Sequence, residues 1–271
     1  MKTGRKSFVS DFKRFYPLLS NLVTKDFKIK YRRSFLGIAW SVLNPLLIML
    51  VLTKVFTLLL RHTGNTEDFA AYYIVGFTLW SFFSEATSTS LSSILSSASL
   101  IKKVYIPKYV FPLEKCLFSL VNFAFSMIAV LAVVIYRSIR VGAPMLSWYS
   151  LLSPLPIFYC FLFVCGMSLF LSAVTVYFRD VAHLYGVLLT MWIYLTPILY
   201  PIALVKGHKL IYTIVMLNPM THYVEMFRDM MMRQSASTLN EHLICIGLSL
   251  FTLLFGSFVF NKAQSKFILH I

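Results

Sequence analysis

Charge is what this 271-residue chain has least of. Asp, Glu, Lys and Arg make up 13% of it, where a soluble domain carries about 25%. With 58% hydrophobic residues and a mean hydropathy of +0.76, a soluble domain is excluded and an integral membrane protein is the comfortable reading. A membrane helix needs roughly 20 apolar residues, so the length holds about six spans with their loops and no sizeable soluble domain. There is no Walker A pattern: Gly4 to Ser7, GRKS, lacks the preceding glycine, so the chain cannot hydrolyse a nucleotide by the P-loop route. The four cysteines, Cys116, Cys160, Cys165 and Cys245, lie inside apolar runs with no C-x-x-C pair, which makes them small packing residues. The six histidines fall at loops and span ends without metal-ligand spacing, so no metal site is expected, and no nucleophile stands beside a base to suggest a catalytic residue. No A-x-A site follows the first apolar run, so a cleaved signal peptide is not expected. Ionisable residues within the apolar runs reduce to Glu85, with Lys54 and Glu114 nearer the surfaces. An ion-coupled carrier usually needs a buried relay, so energy supplied from outside the chain fits better.

What the chain does have is a basic start. Ten of its 25 Lys and Arg precede residue 34: Lys2, Arg5, Lys6, Lys13, Arg14, Lys25, Lys28, Lys30, Arg32 and Arg33. The net charge of +15 therefore points to anionic lipid headgroups or an anionic lipid-linked substrate rather than nucleic acid. Phe8, Phe12, Phe15, Leu19, Leu22 and Val23 recur at three and four, which predicts an amphipathic helix lying on the membrane. Pro17 is expected to open the second of two helical pieces. The domain reading is a basic tail and interface helix over 1–34 and an all-α membrane domain over 35–271.

Six spans are predicted: Phe35 to Leu60, Phe69 to Leu95, Leu113 to Tyr136, Leu151 to Tyr177, Ala182 to Leu204 and His242 to Phe260. Pro45 deprives the Ser41 carbonyl of its helical donor, so a kink is expected in the first. In the second, Ser81, Glu85, Ser88, Ser92 and Ser96 form one stripe, which either faces protein or water or simply lets helices pack closely. Glu85 lies roughly 24 Å down its span and Lys54 roughly 9 Å down the first, at 1.5 Å per residue, so the two are not expected to pair. Asp180 is placed to cap the fifth, and Pro197 and Pro201 suit a broken outer half there. Lys and Arg concentrate in the segments that put both termini in the cytoplasm.

Four separated stretches carry a family resemblance. The first is K-x-K-Y-R-x-S-x-L-G running into W-x-x-x-x-P, at Lys28, Lys30, Tyr31, Arg32, Ser34, Leu36, Gly37, Trp40 and Pro45, joined by Y-x-x-x-G-x-x-x-W at Tyr72, Gly76 and Trp80. The second is K-K-x-x-x-P at Lys102, Lys103 and Pro107, the third Phe178, Arg179, Asp180 and Val181, and the fourth N-P-x-x-x-x-x-E-x-x-R at Asn218, Pro219, Glu225 and Arg228. Together they resemble permease subunits of ABC-2 type exporters, the branch that moves lipid-linked O-antigen, capsule and teichoic-acid-like polymers.

The resemblance implies a homodimeric permease in a bacterial or archaeal cell membrane, partnered by an ABC ATPase dimer that binds the ATP and Mg, with no cofactor in this chain. It implies half-helices that dip into the membrane from outside between spans five and six. Coupling to the ATPase would run through Ser99, Lys102, Lys103 and Pro107 and through Phe178, Arg179 and Asp180. A lipid diphosphate cannot cross hydrocarbon unpaired. Lys28, Lys30, Arg32 and Arg33 are therefore the candidate headgroup site, with the arginines better suited to bidentate grip; the competing reading is that these charges only orient the first span and bind anionic lipid. Sugars stack on aromatic faces, which makes Tyr72, Tyr73, Phe77, Trp80, Trp192 and Tyr194, with Glu85, candidate channel lining, against a role in packing and interfacial belts. Two other classes remain open: an ion-coupled carrier or channel, and a membrane-embedded transferase acting on lipid-linked sugars.

Overall fold

A computed structural model describes residues 8–32, 37–59, 68–104, 106–142 and 146–270, and every regular element among them is helical. In chain order these are α1 (Phe8–Tyr31), α2 (Ala39–Leu59), α3 (Phe69–Leu91), the short α4 (Ser93–Ser96) and α5 (Ala98–Lys103), α6 (Val110–Val141), α7 (Pro154–Tyr177), α8 (Val181–Leu195), α9 (Lys209–Leu217), α10 (Pro219–Met231), α11 (Leu239–Ala263) and α12 (Phe267–His270). Among the described residues three stretches are long and apolar enough to cross a membrane, Val110–Arg140, Trp148–Tyr177 and Leu239–Lys266. Ala39–Val55 and Val181–Leu195 are shorter apolar helices. Arg33, Ser34, Leu36 and most of the loop after α2 lie outside the described residues.

The ends follow from local chemistry. Asp68 caps α3, its carboxylate accepting from the amides of Ala70 and Ala71 at 3.0 and 3.3 Å. Asn218 and Pro219 open α10, and Thr238 with Glu241 forms a capping box at α11. Asp180 occupies the N-cap of α8 but, contrary to expectation, its side chain accepts no cap bond; its main-chain carbonyl takes the amides of His183 and Leu184 instead. Pro17 lies inside an unbroken α1 rather than between two pieces. The second predicted span ends early, at Leu91, where Ser92 turns the chain into α4 and α5.

The core is built on α3, which is buried almost all round from Ala70 to Ala86 against α6, α7, α2 and α10. Its buried hydroxyls return to their own helix: Thr78 to the Ile74 carbonyl, Thr87 to Phe83 and Ser90 to Ala86, each at 2.7 Å. Helices α7 and α11 cross at Gly166 and Gly256, where a Cβ on either would run into the other helix's backbone. Such close approach through small residues suits helices with no hydrophobic drive between them. The outer surface of α11 shows Leu243, Phe251, Leu254 and Phe258 exposed, as a lipid-facing helix would. All four cysteines are free and buried.

A second apolar cluster closes one end of the bundle. Ile94, Ile106, Val110, Phe111, Leu169, Ala173, Val176, Phe260 and Phe267 form it together with Leu19, and Leu22, Val23, Leu100, Ile101 and Tyr177 pack on it. The described part of the α1 stripe thus faces protein, not a bare bilayer, because the ends of α6, α7 and α11 offer it a matching apolar surface.

Candidate functional site

Lys28 and Lys30 are neighbours in sequence but two residues apart on a helix of 3.6 per turn, so they point to nearly opposite sides. Lys28 and Arg32, one turn apart, face outward with Lys25 along a shallow depression. Lys30 turns inward, and its ammonium meets the Glu85 carboxylate of α3 at 2.7 Å. Asn122 of α6 donates to the same Glu85 oxygen at 2.9 Å. The Tyr31 hydroxyl donates to the Asn122 amide oxygen at 3.1 Å and shares a 2.5 Å hydrogen bond with Ser41 of α2. The Ser41 carbonyl, freed by Pro45, accepts from Ser126 of α6 at 2.9 Å. Four helices are thereby tied around a cavity of about 390 Å³, walled further by Trp40, Asn44, Phe77, Thr78 and Ser81.

Below this cavity α1 is held a second time. Asp26 forms an ion pair with Lys115 of α6, which also lies 3.3 Å from Glu114. Phe27 packs edge-on against Phe118, ring centroids 4.9 Å apart. The Lys30–Glu85 pair is the looser tie, since its side chains are 41% and 30% exposed. An ion pair that open is worth about 0–1 kcal/mol, so an incoming anion or cation can compete for either member.

A different arrangement surrounds Arg228 of α10. It is 0% exposed and its guanidinium carbon stands 3.4 Å from the Tyr72 ring centroid. It donates to the carbonyls of Tyr72 at 3.2 Å and Pro197 at 2.6 Å, and pairs with Glu225 at 2.6 Å. The Pro197 carbonyl is free because α8 stops at Leu195, and Tyr72 donates to it as well. Gly76 makes the seat: a Cβ there would collide with the guanidinium.

The predicted lining residues therefore separate. Phe77 and Glu85 meet Lys30 in the cavity. Tyr72 lies against Arg228, Tyr73 is buried beside Phe77, and Trp80 packs in the core with its ring edge-on to Trp192. Trp192 donates to Asn218 at 2.7 Å, and Tyr194 is 63% exposed on α8. Of the serine stripe, Ser81 and Glu85 reach the cavity, while Ser88, Ser92 and Ser96 are exposed. Asn122, Ser126, Asn44 and Thr78 were not singled out from the sequence. A lone amide and a hydroxyl one turn apart in the apolar run of α6 were the available signal for the first two.

The two motifs expected to couple to an ATPase come to one end of the bundle. Ser99, Lys102 and Lys103 are exposed on or beside α5, whose Leu100 and Ile101 pack on the same cluster as Tyr177 at the end of α7. Phe178, Arg179 and Asp180 are exposed directly after it, while Pro107 is half-buried. Lys108, next to it, donates to the Gln264 carbonyl, and burial lowers its pKa from the usual lysine value.

At 28% identity over 260 residues, 96% of this chain and 97% of the relative, the chain is similar to the O-antigen export system permease protein RfbA of Myxococcus xanthus. A second relative of that name, from Klebsiella pneumoniae, is 28% identical over 256 residues, 93% of this chain and 94% of its own. The capsule polysaccharide export inner-membrane protein CtrC of Neisseria meningitidis serogroup B is 22% identical over 250 residues, 90% of each. Residues 17–232 match the model of the ABC-2 type transporter family, and with most of its length in that match the chain belongs to this family.

Proposed function

We propose that the chain is the membrane permease subunit of an ATP-driven exporter and moves a lipid-linked polysaccharide or teichoic-acid-like polymer to the outer side of a bacterial cell membrane. The observation that carries this reading is the polar cavity closed by Lys30, Glu85, Asn122 and Tyr31 at the junction of α1, α2, α3 and α6. It combines a displaceable cation, hydroxyl and amide groups, and the aromatic faces of Trp40 and Phe77, which is the set that a sugar attached to an anionic diphosphate requires. Lys28 and Arg32 on the outer face of α1 draw the headgroup to the membrane surface, and Lys30 receives it.

In this reading the chain spans the membrane six times with both termini in the cytoplasm, and α9 and α10 form a re-entrant pair entered from outside. Two copies form the channel and two copies of an ABC ATPase bind ATP and Mg. The ATPases engage α5 and the Phe178 to Asp180 turn, where Arg179 and Asp180 present charges with no partner among the described residues.

Reconstitution in liposomes with and without the ATPase tests this. Polymer transfer should need both subunits and ATP; transfer by the permease alone overturns the reading. Loss of a charge-assisted contact costs about 1.5–3 kcal/mol, so Lys30→Gln should weaken stimulation of the ATPase by lipid-linked polymer roughly 10- to 100-fold in half-maximal concentration. Stimulation at wild-type affinity would remove the cavity from the substrate path.

A further inference from the structure

A second cavity, of about 460 Å³, lies between α9, α10, the start of α11 and the chain after α8. Its size falls in the range of small-ligand pockets. We propose that it binds a neutral saccharide unit, which on the polysaccharide-export reading above is a sugar of the carried polymer after it has passed the membrane.

The wall has spare hydrogen-bonding capacity of both kinds. The side chains of Lys206 and Tyr212 have no partner among the described residues, and the buried Thr221 hydroxyl in the wall has none either. His222 uses Nε2 on the Met216 carbonyl at 2.8 Å, and Asp229 uses Oδ1 on Arg233 at 2.9 Å, which leaves His222 Nδ1 and Asp229 Oδ2 available. A sugar hydroxyl donates and accepts at once, so a wall of mixed donors and acceptors suits it. Pro201, Ile202 and Ala203 supply an apolar surface for the C–H face of the ring.

Charge narrows the ligand further. Glu225, Asp229 and Glu241 disfavour an anion. A metal cation is disfavoured because Arg233 already holds both Glu225, at 2.6 Å, and Asp229, and Lys206 adds a further positive charge. What remains compatible with both signs is an uncharged polyol. Glu241 is itself fixed by accepting the Thr238 amide at 2.8 Å, so this side of the cavity is rigid before a ligand arrives.

The permease–ATPase complex in lipid nanodiscs free of sugar detergent provides the test. The probes are the methyl glycosides of glucose, galactose, mannose, rhamnose and N-acetylglucosamine, each followed by saturation-transfer NMR. At least one should receive saturation, severalfold less in Lys206→Gln and in Tyr212→Ala, and unchanged in Lys262→Gln, an exposed lysine at the far end of α11. Lys206 is exposed, so Lys206→Gln keeps the test open if Tyr212→Ala does not fold. No transfer to any glycoside, transfer unaltered in Lys206→Gln, or competition by calcium chloride or inorganic phosphate overturns the proposal. Glycoside binding without ATPase stimulation by lipid-linked polymer would instead overturn the transport reading and leave this site standing.

Discussion

Two of the charged centres among the described residues are built on opposite terms. Around Arg228 every feature immobilises: zero exposure, two main-chain carbonyls, a carboxylate, an aromatic face and a missing Cβ opposite. Around Lys30 one ion pair at 2.7 Å bridges a cavity, and both partners stay in reach of small molecules. A charge in an apolar surrounding is tolerated either because protein groups hold it, as they hold all of the guanidinium but Nη2, which has no hydrogen-bond partner among the described residues, or because it lines an open space. The first arrangement holds α3, α8 and α10 together, and the second leaves α1 and α3 able to exchange partners.

The largest effect should come from breaking the fixed centre. Removing one member of a buried pair costs about 3–5 kcal/mol, which in a chain of this size is a fall in Tm on the order of 10 °C. Arg228→Ala should show it in a thermal unfolding scan of the purified protein. Gly76→Ala should cost about 1–3 kcal/mol by crowding the guanidinium. It should cost far less in an Arg228→Ala background, where the collision partner is gone. Full additivity of the two would mean that Gly76 is not the seat of Arg228.

The displaceable centre should respond weakly in stability. Lys30→Gln, Glu85→Gln and the double variant form a cycle whose coupling should stay below about 1 kcal/mol. A coupling of 3 kcal/mol or more, read from unfolding midpoints, would make the pair a structural lock and erase the contrast with Arg228.

Smallest of all in stability are changes at the turn from Phe178 to Asp180. Arg179→Ala and Asp180→Ala remove exposed side chains without partners among the described residues, so the effect should lie within about 0.5 kcal/mol. Export per ATP hydrolysed should nevertheless fall in both. Undiminished export would show that the ATPase does not act through this turn.

Much of the architecture was readable because membrane helices write themselves as apolar runs with identifiable ends. The ends were less exact: α6 runs past Tyr136 to Val141, where Gly142 in left-handed conformation at φ 70° stops it, and α11 starts at Leu239 behind the Thr238–Glu241 capping box rather than at His242. Pro197 marked the break after α8, and Pro45 identified Ser41 as a carbonyl in need of a donor. The donor itself, Ser126, is 85 residues away and was not readable. Pro17 misled because a proline inside a helix need not break it: α1 runs on through the lost bond and packs on the rest of the bundle from Leu18 onward. For the aromatic candidates, a sugar platform and a packing side chain share one composition in the sequence; the structure puts Phe77 in the wall of the cavity and buries Tyr73 beside it.

The sequence alone determined the membrane class, the helical segments, the four family motifs and the basic start of the chain, because each is encoded in a contiguous stretch or a fixed spacing. The tertiary structure decided that Lys30 parts from Lys28 to meet Glu85, and that Gly76 makes room for Arg228. Helical periodicity states which residues share one face; which other helix meets that face depends on the packing of the whole chain.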